Sequence, residues 1–154
     1  MEHTQEPLLR VADLRTHFHT FAGTVKAVDG VSFQIGKGEI MGLVGESGGG
    51  KSVVGFSILG LIDPPGRIES GQIAFDGENL AGASEDRLRQ IRGKEIAMIF
   101  QDPMTSLNPL HTIGRQMDEM LRLHTNLDKA ARRKRCIQML EDVGISQAAD
   151  RLSS

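Results

Sequence analysis

The most chemically informative segment is a glycine-rich stretch of eight residues, 45–52, which reads Gly-Glu-Ser-Gly-Gly-Gly-Lys-Ser. It matches G-x-x-x-x-G-K-[ST] in full, the pattern of a loop that binds phosphate groups. Glycine allows the backbone to curl so that successive N–H groups point at phosphate oxygens. Lys51 offers a positive charge to the β and γ phosphates, and the Ser52 hydroxyl suits Mg²⁺. The predicted ligand is Mg²⁺-bound ATP, and the predicted phosphate-binding residues are Gly45, Glu46, Ser47, Gly48, Gly49, Gly50, Lys51 and Ser52.

The segments on either side of this loop support the match. Residues 39–44 (EIMGLV) form a short apolar run that predicts a strand leading into the loop. Within residues 51–61, Val54, Ile58 and Leu61 recur at helical spacing, and an Asp-Pro-Pro-Gly turn follows soon after. The alternative is a glycine-rich turn that matches by accident, with odds on the order of one in a hundred for a chain of this size. A strand before the loop and a helix after it favour phosphate binding.

The rest of the chain predicts a mixed α/β body followed by helices. Further strands are predicted at 8–14, 31–35, 71–75 and 96–100, the last as an apolar run buried on both faces. A short helix is predicted at 84–90, with Ser84 as its cap and Arg87 at the third helical position. From Ile113 onward the apolar period becomes helical, and Gly144 predicts the end of a helix.

Composition and charge exclude several other classes of protein. The chain has 154 residues, 39% hydrophobic and 25% charged, which is typical of a folded globular domain. Its net charge of −2 gives no general attraction to nucleic acid, and the basic cluster at 132–135 fits a solvated helix face. Cys136 is the single cysteine, so no internal disulfide can form. Residues 1–7 are unlike a secretory signal, and the longest apolar run, 53–62, is too short to cross a bilayer.

The surroundings of the glycine-rich loop resemble a known family. Segments 27–33 (AVDGVSF), 38–40 (GEI) and 42–48 (GLVGESG) are similar to the ATP-binding subunits of ABC transporters. Segments 66–71 (GRIESG) and 99–109 (IFQDPMTSLNP) resemble the oligopeptide/dipeptide permease branch of bacterial importers. Within that branch, Met104-Thr105 favours one of the two ATPase paralogues.

This resemblance implies a fold class and a domain organisation. The fold would be α/β, a P-loop NTPase core of the ABC type with an antiparallel β portion, followed by the start of a helical subdomain. Residues 1–154 would form a partial ATP-binding domain, with the α/β core portion at 1–109 and the helical portion at 110–154.

The resemblance also implies roles for individual residues. Gln101 would reach Mg²⁺ and the attacking water, which makes Gln101 and Lys51 the candidate catalytic residues and Ser52 and Gln101 the candidate metal ligands. Phe18 would stack on the adenine base, for which the ring face suffices. An ordinary core aromatic is the alternative for Phe18, and His17 and Phe21 are the other stacking candidates.

Several parts of the family's ATPase site are not found in these residues. They are the Leu-Ser-Gly-Gly-Gln signature, a strand ending in Asp-Glu and a later histidine. ATPase activity is therefore expected of the complete subunit, whereas this chain alone is expected to bind ATP without useful turnover. Asp102 as the magnesium ligand of another P-loop class is the competing interpretation of segment 96–102, and the wider match favours Gln101.

The function implied by the resemblance is ATP binding within the ATPase subunit of a peptide-type ABC importer, with ATP hydrolysis coupled to transmembrane transport in the complete protein. The implied partners are membrane permease subunits and a second ATP-binding subunit, as a homodimer or heterodimer, and no nucleic acid. The implied location is peripheral, on the cytoplasmic side of the inner membrane. The alternatives are a truncated nucleotide-binding fragment without catalytic function and a soluble P-loop ATPase unrelated to transport.

Overall fold

The computed structural model describes residues 6–102 and 106–154. The chain divides into two compact units, Met1–Arg92 and Gly93–Ser154. The predicted division of the family domain at 109/110 stays a prediction.

The first unit is built on a four-stranded antiparallel sheet with the strand order β2-β1-β3-β4. Its strands are β1 (Leu9–Thr20), β2 (Gly23–Ile35), β3 (Gly66–Phe75) and β4 (Glu78–Asn79). Two-residue turns join β1 to β2 and β3 to β4. In the second turn Asp76 and Gly77 both have positive φ, 44° and 84°, as a tight hairpin requires. The predicted strands at 8–14, 31–35 and 71–75 are confirmed and are longer than predicted.

One irregularity in the β1–β2 ladder matters for the glycine-rich loop. Thr16 pairs with Val28, but the next residue, His17, pairs with Lys26. Ala27 therefore has no partner on β1 and forms a β-bulge. Ala27 lies beside Gly50, the residue directly before the first helix.

Two helices complete the first unit. The first, α1 (Lys51–Ile58), begins where the sequence predicts it and ends at Ile58 rather than Leu61, just before Gly60, which has φ 62°. It packs on the sheet through a buried hydrogen bond of 2.8 Å between the Thr16 and Ser57 hydroxyls. The second, α2 (Glu85–Ile91), has the predicted cap, because the Ser84 hydroxyl accepts a hydrogen bond from the Arg87 amide. The buried apolar side chains of this unit are Val11, Leu14, Val28, Val54, Leu59, Ile73, Leu80, Leu88 and Ile91.

The predicted strands at 39–44 and 96–100 are wrong for this structure. Among the described residues, neither segment joins a sheet, although Ile96 forms an isolated bridge. Ile40, Val44 and Ile99 are almost fully exposed. A strand exists only when a neighbouring backbone accepts and donates its hydrogen bonds, and apolar composition cannot supply that neighbour.

The second unit contains α3 (Ile113–His124), α4 (Lys129–Asp142) and the short α5 (Ala148–Arg151). Their shared core consists of Cys136, Leu140, Ala148 and Leu152, with Met117, Leu121 and Ile137 packed against it. The predicted end at Gly144 is confirmed: its amide donates to the Glu141 carbonyl and the Ile145 amide to the Leu140 carbonyl, at 2.8 and 2.9 Å. Of the described helices, none has both the length and the apolar character needed to cross a membrane.

Candidate nucleotide-binding site

The glycine-rich loop, residues 45–52, lies directly before and inside the first turn of α1. The Gly49 amide donates to the Glu46 carbonyl at 3.1 Å and closes a tight turn. Gly48 and Gly50 have φ of 79° and 80°, in the left-handed region that side chains disfavour. A Cβ on Gly50 would also lie 2.1 Å from the Ala27 carbonyl oxygen. Residue 50 must therefore be glycine for the loop to sit against the bulge of β2.

The amino end of α1 differs from those of α2, α3 and α4. Ser84, Thr112 and Asp128 cap those three helices through their side chains. By contrast, the N-cap residue of α1 is Gly50, and no side chain caps this helix. Among the described residues, nothing accepts a hydrogen bond from the amides of residues 50–53, and the first acceptor in the helix is the Gly50 carbonyl, which receives the Val54 amide at 3.0 Å. Free amides at a helix amino end match the oxygens of a phosphate group.

Lys51 and Ser52 add the two functional groups that the loop pattern predicts. The Lys51 ammonium donates to the Gly45 carbonyl at 2.9 Å and to the Glu46 carbonyl at 2.6 Å, so its charge lies over the loop. The Ser52 side chain is exposed. The first turn of α1 thus combines backbone donors, one cation (Lys51) and one hydroxyl (Ser52).

This donor set fits Mg²⁺-bound ATP. Phosphate oxygens would accept hydrogen bonds from the free amides and from the Lys51 ammonium. The Ser52 hydroxyl would offer an oxygen ligand to the metal ion. Within the described part of the chain, no group of three or more His, Cys, Asp or Glu side chains could hold a metal by itself. Mg²⁺ usually takes few protein ligands beside phosphate and water, so one hydroxyl is compatible with its binding.

Phe18 is half-buried on β1, opposite Val25 on β2 and Gly66 on β3. Its ring lies over Gly66, where an added Cβ would come within 2.5 Å of the ring Cε1 and 2.9 Å of Ile62 Cγ2. One side of the ring therefore packs against its own chain, as the core interpretation requires. Adenine stacking by Phe18 stays a prediction.

The two other stacking candidates differ in exposure. The His17 side chain is 12% exposed, and its Nε2 atom is buried without a hydrogen-bond partner, 3.6 Å from the Asp29 carboxylate. Phe21 is fully exposed at the turn between β1 and β2. A base could reach the Phe21 ring more easily than His17.

Gln101 belongs to the second unit, where it is exposed next to Asp102. Its predicted contact with Mg²⁺ and water stays a prediction, as does the competing assignment to Asp102. Pro103, Met104 and Thr105 lie outside the described residues. The interpretation that Met104-Thr105 favours one paralogue concerns these residues and stays a prediction.

The sequence did not predict the β-bulge at Ala27. The carbonyl oxygen of this residue is the atom that an added Cβ on Gly50 would approach most closely. A bulge adds one residue to one strand, and the only sequence signal would be a break in the alternation of β2 around Ala27. That signal is weak because 25–28 (VKAV) also reads as continuous strand.

Comparison with known proteins agrees with the resemblance found in the sequence. The chain is 48% identical over 147 residues to the oligopeptide transport ATP-binding protein OppD of Bacillus subtilis, covering 95% of this chain and 41% of the relative. It is 47% identical over 145 residues to the dipeptide transport ATP-binding protein DppD of Escherichia coli, covering 94% and 44%. The chain thus spans less than half the length of these curated relatives.

The predicted fold class is confirmed by solved structures. The dimeric ATP-binding cassette MJ0796, in a post-hydrolysis state with ADP and Pi, has a TM-score of 0.73 and 25% identity over 86% of this chain and 57% of its own. A second dimeric structure of MJ0796, a bacterial ABC transporter cassette, also has a TM-score of 0.73, at 22% identity over 94% of this chain and 66% of its own. The family model described as ABC transporter matches residues 28–154. Because that match covers most of the chain, the protein belongs to the ABC transporter family.

Proposed function

We propose that this chain binds Mg²⁺-ATP through residues 45–52, as part of the ATP-binding subunit of a peptide-type ABC importer. The observation that carries the proposal is the amino end of α1, where uncapped amides and the Lys51 ammonium converge on one loop. Positive charge and free N–H donors at a helix terminus are what a triphosphate requires.

Each candidate residue has a distinct role in this proposal. Lys51 neutralises charge on the β and γ phosphates, and Ser52 holds Mg²⁺. Phe18 contributes affinity for the base, and the family resemblance assigns Gln101 a contact with Mg²⁺ and the attacking water, which stays a prediction. Lys51 must exchange its hydrogen bonds to the Gly45 and Glu46 carbonyls for hydrogen bonds to phosphate oxygens, so its ammonium has acceptors in both states.

The wider function is proposed from the relatives, whose names describe oligopeptide and dipeptide transport. In the complete protein, ATP hydrolysis would be coupled to transmembrane transport of a peptide. The partners would be membrane permease subunits and a second ATP-binding subunit, since the MJ0796 cassette is a dimer. The subunit would then lie on the cytoplasmic side of the inner membrane as a peripheral component.

Calorimetric titration with Mg²⁺-ATP tests the binding site. Lys51→Ala should weaken ATP binding by about tenfold or more, because a charged hydrogen bond contributes roughly 1.5–3 kcal/mol. Lys129→Ala is the matched control, since Lys129 is an exposed lysine at the start of α4. Equal dissociation constants for the two variants would refute the assignment of residues 45–52 as the phosphate-binding loop.

A further inference from the structure

Arg92 connects the carboxyl ends of two helices in the first unit. Its backbone amide donates to the Leu88 carbonyl at 2.9 Å and closes α2. Its side chain crosses to the residues after α1, where Nε donates to the Leu59 carbonyl at 2.7 Å and a terminal nitrogen to the Gly60 carbonyl at 2.8 Å. One residue therefore caps both α1 and α2.

The end of α1 is built to present these carbonyls. The Gly60 amide donates to the Ser57 carbonyl and the Leu61 amide to the Phe56 carbonyl, which is the double hydrogen bond of a glycine-terminated helix. The outward-turned carbonyls of Leu59 and Gly60 then both point at the guanidinium of Arg92. A cation at this end also complements the helix dipole, whose positive end lies at the phosphate loop.

α2 fixes the orientation of the Arg92 side chain. The remaining terminal nitrogen donates to the Glu85 carboxylate at 2.6 Å, and the Arg92 side chain is only 23% exposed. Leu88, one turn before Arg92, packs so closely that a Cβ on Gly60 would lie 2.6 Å from its Cδ1. The contact with Glu85 of α2 thus orients the guanidinium so that it faces the carboxyl end of α1.

We propose that Arg92 is a positioning residue for the phosphate loop. α1 has only eight residues, and a helix of that length is marginal by itself and depends on tertiary contacts such as those of Arg92. Arg92 holds the carboxyl end of α1, and the amino end of the same helix carries the free amides, Lys51 and Ser52. Loss of Arg92 frays the last turn of α1 and misplaces the loop at the other end.

This inference rests on the proposed nucleotide binding, and the experiment separates the two. The full chain and its Arg92→Ala variant are titrated with Mg²⁺-ATP and with inorganic triphosphate, at a temperature where circular dichroism shows both folded. We expect Arg92→Ala to raise the dissociation constants for both ligands by about fivefold or more. This is the lower end of the usual range of energetic coupling between two separate sites of a protein. Hydrogen exchange should become faster in α1.

Arg89→Ala is the matched control, because Arg89 is an exposed arginine in the last turn of α2 and its loss changes the net charge equally. If Arg92→Ala does not fold, the same titrations are made with Arg92→Lys. Lysine keeps the charge but cannot bridge two carbonyls and a carboxylate. An unchanged dissociation constant with a lower unfolding midpoint would overturn the inference and leave Arg92 a stabilising residue alone. A parent chain that binds neither ligand would instead refute the proposed function.

Discussion

Gly50 and Gly48 provide a paired test of how the loop is held against the sheet. Both residues have nearly the same positive φ, 80° and 79°. A Cβ at Gly48 would meet nothing within 4 Å, whereas one at Gly50 would lie 2.1 Å from the Ala27 carbonyl oxygen and 3.2 Å from its carbon. Gly48→Ala therefore adds only backbone strain, and Gly50→Ala adds the same strain and a steric overlap.

The expected magnitudes follow from these contacts. An alanine in the left-handed region costs about 1–2 kcal/mol, and the reduced entropy of the unfolded chain returns roughly 0.4–1 kcal/mol. Gly48→Ala should thus lower the free energy of unfolding by about 1 kcal/mol. Overpacking against backbone adds about 1–3 kcal/mol, because the Ala27 carbonyl belongs to a strand and cannot rotate away. Gly50→Ala should be less stable than Gly48→Ala by that further amount.

Urea unfolding without nucleotide measures the difference, because ligand affinity then plays no part. Both variants should keep the slope of the parent chain, with a lower midpoint for Gly50→Ala. Coincident midpoints would refute the close approach of residue 50 to the Ala27 bulge.

Three further predictions concern other parts of the chain. Phe18→Ala should cost roughly 1–2 kcal/mol of ATP affinity and leave the affinity for inorganic triphosphate unchanged, and equal losses for both ligands would argue against adenine stacking. Hydrogen bonds from Arg67 and His19 lower the pKa of Glu69 from 4.5 to about 2, so its stabilisation is present above pH 4.5 and lost as the pH falls toward 2. The difference in urea midpoint between the parent chain and Glu69→Gln should shrink over that range, and a constant difference would contradict the shift. Gly144→Ala should lower the stability of the helical unit by about 1 kcal/mol in thermal unfolding, since φ is 79° and no atom lies near the added Cβ; a much larger loss would reveal a clash.

The amino-acid sequence determined the features whose information is local. The turns of the glycine-rich loop, the start of α1 at Lys51, the Ser84 cap and the end of α4 at Gly144 all depend on residues within a few positions of one another. Ser84 caps α2 with its own hydroxyl, Gly144 ends α4 with a local turn, and the glycines of the loop adopt the positive φ that lets α1 start without a side-chain cap. The residues quoted for the family resemblance act in the same way, because a match to a family needs only their order and spacing.

Only the tertiary structure decided the features that need a partner distant in sequence. Residues 39–44 and 96–100 have the composition of buried strands, yet they pair with no strand in 6–102 and 106–154. The approach of Ala27 to Gly50 depends on the register of β1 against β2, and the reach of Arg92 to Leu59 spans 33 positions. Strand pairing, bulges and side-chain caps between helices satisfy hydrogen bonds across separate segments, so which groups meet is decided when the segments pack.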